Sequence, residues 1–198
     1  MSETPEPARE GEEAAPANWP LSFTLHNLDP RHPYLKERGL TDETIETFCI
    51  GYFGGKGSMH GRIVIPINDG EGEHILAYAG RWPGDPPEGE PKYKLPANFH
   101  KSFVLYNFHR ARDYASEGLI VVEGFFSVFE LWQKGRRNVV AVMGNHVSLE
   151  QEQLIAATVG PKGRVLIAFD DDEAGRKGSA DAAARLVSQV FVRTVALS

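Results

Sequence analysis

Arg164-Val-Leu-Ile-Ala-Phe-Asp170-Asp171-Asp172-Glu173-Ala-Gly175-Arg176 is an apolar run that stops at an acidic cluster and passes into an alanine-rich segment. Val165 to Phe169 read as a short strand buried on both faces, and Ala174 to Val187 as the helix that follows it. The carboxylates therefore sit at the C-terminal end of a strand, which in open parallel sheets is where ligands bind. Asp170 and Asp172 are two positions apart and point the same way if the chain there is still extended. Two carboxylates held about 4 Å apart repel by about 4 kcal/mol at an effective dielectric of about 20, so something positive must stand near them. An oxygen-preferring divalent cation, Mg²⁺ or Mn²⁺, meets that need, and so does an arginine or lysine.

The flanking sequence repeats the pattern. Leu119-Ile-Val-Val122 reads as a strand, Ser127 to Lys134 as a helix and Val139 to Met143 as a strand. Ser148 to Ala157 is a helix opened by a serine cap with Glu150, Gln151 and Glu152 in its first turn, and Phe191 to Leu197 is a last strand. Alternation of this kind argues a parallel sheet with helices on both faces. Glu123-Gly124 follows the first strand, Gly144-Asn145 the second and Asp170-Asp171-Asp172 the third, so all three project from one edge. Three carboxylates with room for water suit Mg²⁺, which keeps several waters and binds few protein groups plus substrate phosphates. The reaction class implied is phosphoryl or nucleotidyl transfer.

The remainder of the chain adds an N-terminal unit. Residues 1–20 form an acidic, Pro/Ala-rich tail expected to be disordered; residues 1–16 alone carry five glutamates and one arginine, a net of -4 within a chain total of -6. His32 to Gly39 and Thr41 to Ile50 read as two short helices. Arg62 to Asn68 and His74 to Arg81 read as an antiparallel hairpin turning at Asp69-Gly70, with Pro66 marking an edge position or a bulge. Between Pro91 and Arg112 there is no acidic residue, while Lys92, Lys94, Lys101, Arg110 and Arg112 alternate with five aromatic residues. Such a mixture suits a strand of nucleic acid, although core aromatics beside solvated lysines give the same pattern. Apolar runs are too short to span a membrane, and the single Cys49 excludes both an internal disulfide and a cysteine-based zinc site. A reducing, cytoplasmic setting is expected.

Taken together, Leu119-Ile-Val-Val-Glu123-Gly124 and Phe169-Asp170-Asp-Asp172-Glu-Ala-Gly175-Arg176 resemble the Toprim domain shared by bacterial primases, topoisomerases and some nucleases. Within that group the chain most resembles the RNA-polymerase domain of bacterial DNA primase. Tyr34-Leu-Lys-Glu-Arg-Gly39-Leu, Gly61-Arg62-Ile-Val-Ile-Pro66-Ile, Gly80-Arg81, Pro91-Lys92-Tyr93 and His100-Lys101 are similar to its upstream elements. The resemblance implies an α/β fold: a Toprim-type parallel sheet with flanking helices over residues 113–198, preceded by a small primase-like α+β subdomain over 21–112. It implies that Glu123 is a metal ligand and general acid/base, that Asp170 and Asp172 hold Mg²⁺ or Mn²⁺, and that Lys92, Lys101 and Arg81 contact nucleotide phosphates or template. Gly124 and Gly144 would admit the ligand close to the backbone, with Lys94, Asn145 and Arg176 as further nucleotide or nucleic-acid contacts. The partners implied are single-stranded DNA, nucleoside triphosphates, and a helicase or a separate zinc-binding protein, with no membrane.

Two departures weaken the match. The family has an aspartate four residues beyond the glutamate, where this chain has Ser127, so one carboxylate that supports the metals is missing. Neither the family's zinc ribbon nor its C-terminal helical part is expected in this sequence. A Toprim nuclease and a non-catalytic nucleic-acid-binding accessory factor therefore stand beside the primase reading.

Overall fold

A computed structural model describes residues 18–197. Most of the expected acidic tail lies outside the described residues. Asn18, however, exchanges two hydrogen bonds with the His100 backbone, at 3.0 and 2.8 Å. Helices α1 (Pro33–Glu37) and α2 (Asp42–Thr47) precede an antiparallel sheet of β1 (Gly51–Phe53), β2 (Arg62–Asn68), β3 (Ile75–Arg81) and β4 (Tyr93–Lys94), hydrogen-bonded in chain order. A short helix α3 (Phe108–Ala111) leads to the second half. There β5 (Leu119–Val122), α4 (Phe125–Gln133), β6 (Val139–Ala141), α5 (Leu149–Val159), β7 (Arg164–Asp170), α6 (Glu173–Leu186) and β8 (Phe191–Leu197) build a parallel sheet of order β6-β5-β7-β8. This is the expected α/β arrangement, down to the strand and helix around Asp170.

Several local expectations need correction. Pro66 lies in an interior strand, but β1 pairs only with Arg62 to Val64, so at Pro66 that flank of β2 has no strand opposite; the register irregularity follows one residue later, at Ile67/Asn68. The helix after Glu123 opens at Phe125, two residues early, because Gly124 caps it in an extended conformation. β6 ends at Ala141, since Met143 takes a left-handed conformation (φ 60°) that no strand continues. Helices do not cover both faces evenly. One face packs Val165, Ile167 and Phe169 against Ile155 of α5 and Ala182 and Leu186 of α6. The other meets α4, and beyond α4 an open groove of about 610 Å³ leaves Val195 exposed and Leu166 and Leu197 only partly buried.

α4 is apolar on most of its surface because it lies between the two sheets. Its Phe125, Phe126, Val128 and Phe129 share one cluster with Ile63, Ile65 and Ala79 of the N-terminal sheet. Phe129 meets Phe48 of the N-terminal unit at 4.8 Å between ring centroids, and Trp132 meets the same ring edge-on at 5.3 Å. Trp132 thus joins the two units. One hydrophobic cluster thus spans both halves, which fixes what they hold between them.

α5 carries the expected serine cap in full: Ser148 Oγ accepts from Gln151 N at 3.1 Å, and Gln151 Oε1 accepts from Ser148 N at 3.1 Å. Gln151, 1% exposed, also donates through Nε2 to the carbonyl of Val104 at 2.9 Å, tying the helix to the segment that leaves the N-terminal unit. Ser148→Ala is expected to cost about 1–2 kcal/mol. At this chain length that lowers the melting temperature by roughly 2–8 °C, which calorimetry measures directly.

Candidate active site at the carboxylate edge

Parallel β5 and β7 end side by side, so Glu123, just past β5, and Asp170, the last residue of β7, share one edge. Glu123 Oε1 accepts a hydrogen bond from the Asp170 backbone N–H at 3.0 Å. Partial burial raises the Glu123 pKa above its ordinary 4.5; the Asp170 N–H opposes this, and the charges of Asp170 and Asp172 reinforce it. Asp172 caps α6 by accepting from Gly175 N at 2.7 Å, and Asp171 pairs with Arg176 at 2.7 Å. Of the four clustered acids, Glu123 and Asp170 line the cavity.

That cavity, about 440 Å³, lies between the two units. Its carboxylate wall also holds Gly124, Ser127 and Gly144, and the opposite wall is cationic: Arg38, Arg81 and Lys92. Arg81 is 5% exposed and donates to the hydroxyls of Tyr34 at 2.5 Å and Tyr93 at 2.7 Å. Its guanidinium stands 4.9 Å from the Phe126 ring centroid, and that of Arg38 stands at the same distance from the same ring. Among the described residues neither arginine has a carboxylate partner within salt-bridge distance. Arg38 is exposed, but Arg81 is buried, and a desolvated guanidinium without an anion is a site that favours one.

The expected contacts divide accordingly. The structure brings Glu123, Asp170, Arg81, Lys92, Gly124 and Gly144 to one cavity. Lys94, Lys101, Asn145 and Arg176 do not line it. Lys101 donates instead to the Met143 carbonyl at 2.9 Å, bracing the left-handed turn from behind Gly144; a Cβ on Gly144 would stand 2.9 Å from the ammonium. Arg176 is engaged by Asp171 in an exposed pair, which contributes little and is readily exchanged. Arg38 is a cavity residue that sequence reasoning passed over: it caps a five-residue helix, and nothing local in the sequence marks its charge as functional. A Cβ on Gly124 would meet no atom within 4 Å, so protein packing does not require a glycine there.

Glu123, Asp170 and Asp172 are oxygen donors near enough to repel one another, which suits a hard divalent cation. As they stand, no three carboxylate, His or Cys side chains among the described residues converge tightly enough to hold a metal. Ser127 adds a hydroxyl at the cavity where the expected fourth carboxylate would lie.

A glutamate after one parallel strand and an Asp-x-Asp after its neighbour define a Toprim-type site, and residues 117–196 match the Toprim domain family. That segment, about two fifths of the chain, is similar to a Toprim domain. The chain as a whole is similar to bacterial DNA primases. It is 39% identical over 124 residues to the DNA primase of Pseudomonas putida, an alignment covering 60% of this chain and 18% of that protein. The crystal structure of the Aquifex aeolicus primase zinc-binding and RNA-polymerase domains superposes with a TM-score of 0.71 at 29% identity, over 83% of this chain and 49% of that one. A DnaG primase catalytic domain bound to single-stranded DNA superposes at 0.68 with 26% identity, over 85% of this chain and 63% of that one. The chain spans about a fifth to a third of the length of its curated relatives. Its second part is thus Toprim-like within a chain similar to bacterial primases, and no described helix is long and apolar enough to cross a membrane.

Proposed function

We propose that this chain carries out DNA primase-like nucleotidyl transfer, joining ribonucleotides into short primers on a single-stranded DNA template. The observation that carries this reading is the facing of Glu123 and Asp170 by Arg38, Arg81 and Lys92 across one cavity. Glu123, Asp170 and Asp172 would hold Mg²⁺ or Mn²⁺, which when bound neutralises phosphate charge and orients the attacking oxygen. The cationic wall binds the phosphates of the incoming nucleotide, and Arg81, fixed by two tyrosine hydroxyls, does so without first having to order its side chain. Glu123, whose raised pKa brings it closer to neutrality, accepts the proton of the attacking 3′-hydroxyl. Lys101 acts by bracing the Gly144 turn, and Lys94 and Arg176 reach template outside the cavity. Nucleoside triphosphates, single-stranded DNA and a helicase or zinc-binding protein are the partners on this reading, in the cytoplasm.

Ser127 favours a second reading, a nucleic-acid-binding module with reduced metal affinity; a Toprim nuclease is the third. Incorporation of labelled nucleotides on single-stranded DNA separates them. With Mg²⁺ or Mn²⁺ the wild type is expected to make product, and Asp170→Ala to lower its rate by roughly 10³-fold. Template degradation in place of product would establish the nuclease, and neither outcome with template bound would establish the binding module.

A further inference from the structure

Lys92, one of the three cations of the cavity wall, stands at the end of the Gly/Pro-rich segment from Trp82 to Pro91. Its placement depends on a side chain that never reaches the cavity. Arg62 in β2 is 1% exposed, the largest fully buried side chain among the described residues. Its guanidinium stands 4.5 Å from the Trp82 ring centroid at one end of the segment. At the other end it donates to Glu90 Oε2 at 2.7 Å and to the Pro91 carbonyl at 3.1 Å. Trp82 N in turn donates to the Lys92 carbonyl at 3.1 Å, so the two ends of the loop are also joined to each other directly beside Arg62.

We infer that Arg62 and Glu90 form a clamp that closes the base of the Trp82–Pro91 loop and thereby positions Lys92 in the cavity. They are positioning residues, acting through Lys92 and touching no substrate. Three features single this arrangement out from an ordinary structural ion pair. Arginine's planar fork engages a ring, a carboxylate and a carbonyl at once in a fixed geometry that a flexible lysine ammonium does not present. The carboxylate belongs to Glu90, two residues from Lys92 and half-exposed at 43%, so it is not required to fill the core. And the loop between the clamped ends is otherwise held by little: Asp85 and Pro87 to Lys92 are exposed, and Gly84 and Gly89 adopt left-handed conformations.

The inference rests on the reading that Lys92 contacts nucleotide phosphate, and its test keeps the two apart. Trypsin cleavage after Lys92 reports the clamp without reference to activity, and nucleotide incorporation reports its consequence. Glu90→Ala, at a half-exposed site, is used in place of the buried Arg62, whose replacement endangers folding. Glu90→Ala is expected to accelerate cleavage after Lys92 and to lower incorporation roughly 10-fold, mainly through a raised KM for nucleotide. Glu90→Gln, which keeps an oxygen acceptor for Arg62, is expected to recover most of both. Glu90→Ala combined with Lys92→Ala is expected to be no worse than Lys92→Ala alone, since the clamp acts only through Lys92. Unchanged cleavage in Glu90→Ala overturns the clamp. Accelerated cleavage with multiplicative losses in the double variant overturns its positioning role. A wild type with a protected loop and no incorporation overturns the functional reading instead, while the clamp stands.

Discussion

Glu123→Gln is expected to lower nucleotide incorporation by roughly 10³-fold, about 4 kcal/mol of transition-state stabilisation, with the fold intact. The fold survives because a glutamine carbonyl oxygen still accepts the Asp170 N–H that now bonds Glu123 Oε1 at 3.0 Å. What disappears is the charge, and with it a metal donor and the proton acceptor. The variant also changes pH dependence in a direction that can be worked out. Burial first, then Asp170 and Asp172, raise the folded-state pKa of Glu123 above its unfolded value of 4.5. The folded state therefore holds the proton more tightly than the unfolded one, and stability from this group is full below pH 4.5 and is lost as pH rises through the folded value. In metal-free buffer the melting temperature of Glu123→Gln, relative to wild type, should rise across that window. Mg²⁺, which binds the ionised carboxylate, should narrow the difference above it. A constant difference from about pH 4 to 7 would mean that Glu123 titrates normally in the folded protein.

Gly178→Ala is expected to destabilise the protein by about 3 kcal/mol, lowering the melting temperature by roughly 6–12 °C. In an unpacked helix the same change stabilises by about 1 kcal/mol. Here the sign reverses because a methyl on Gly178, buried in α6, would collide with the Asn145 backbone carbonyl, and a peptide group cannot swing away as a side-chain tip can. α6 and the Gly144–Asn145 turn would have to separate, moving one wall of the cavity, so incorporation should fall further than stability alone explains. Gly144→Ala provides the contrast. Its methyl meets only the ammonium end of Lys101, at 2.9 Å, which can withdraw at the expense of its bond to Met143. A melting temperature for Gly178→Ala at or above wild type would show that the helix and turn are not in this contact.

Much of this was legible in the sequence because it depends on neighbours in the chain. The run from Val165 to Phe169 ends at acids because β7 ends there, and Ser148 with Gln151 three residues on announces a capping box. The shared edge followed from parallel strands alone. What escaped the sequence lies in contacts between distant segments. Lys101 sits in a basic stretch and reads as a phosphate contact, yet it bonds a carbonyl 42 residues away. Asp172 reads as a ligand from its spacing to Asp170, and it also caps α6, a role equally encoded by an aspartate three residues before Gly175. Arg62 reads only as the first residue of a strand, and nothing in the sequence marks it as the most deeply enclosed charge among the described residues. Gly178 looks like a flaw in a helix until the turn packed against it is known.

The most direct measurement of the central claim is the product made by wild-type protein from end-labelled single-stranded DNA, unlabelled ribonucleotides and Mg²⁺ or Mn²⁺. New alkali-labile oligonucleotides on an intact template, lost on chelation of the metal, are the expected result. A template shortened from its ends or cut internally, with no ribonucleotide joined, would contradict the account.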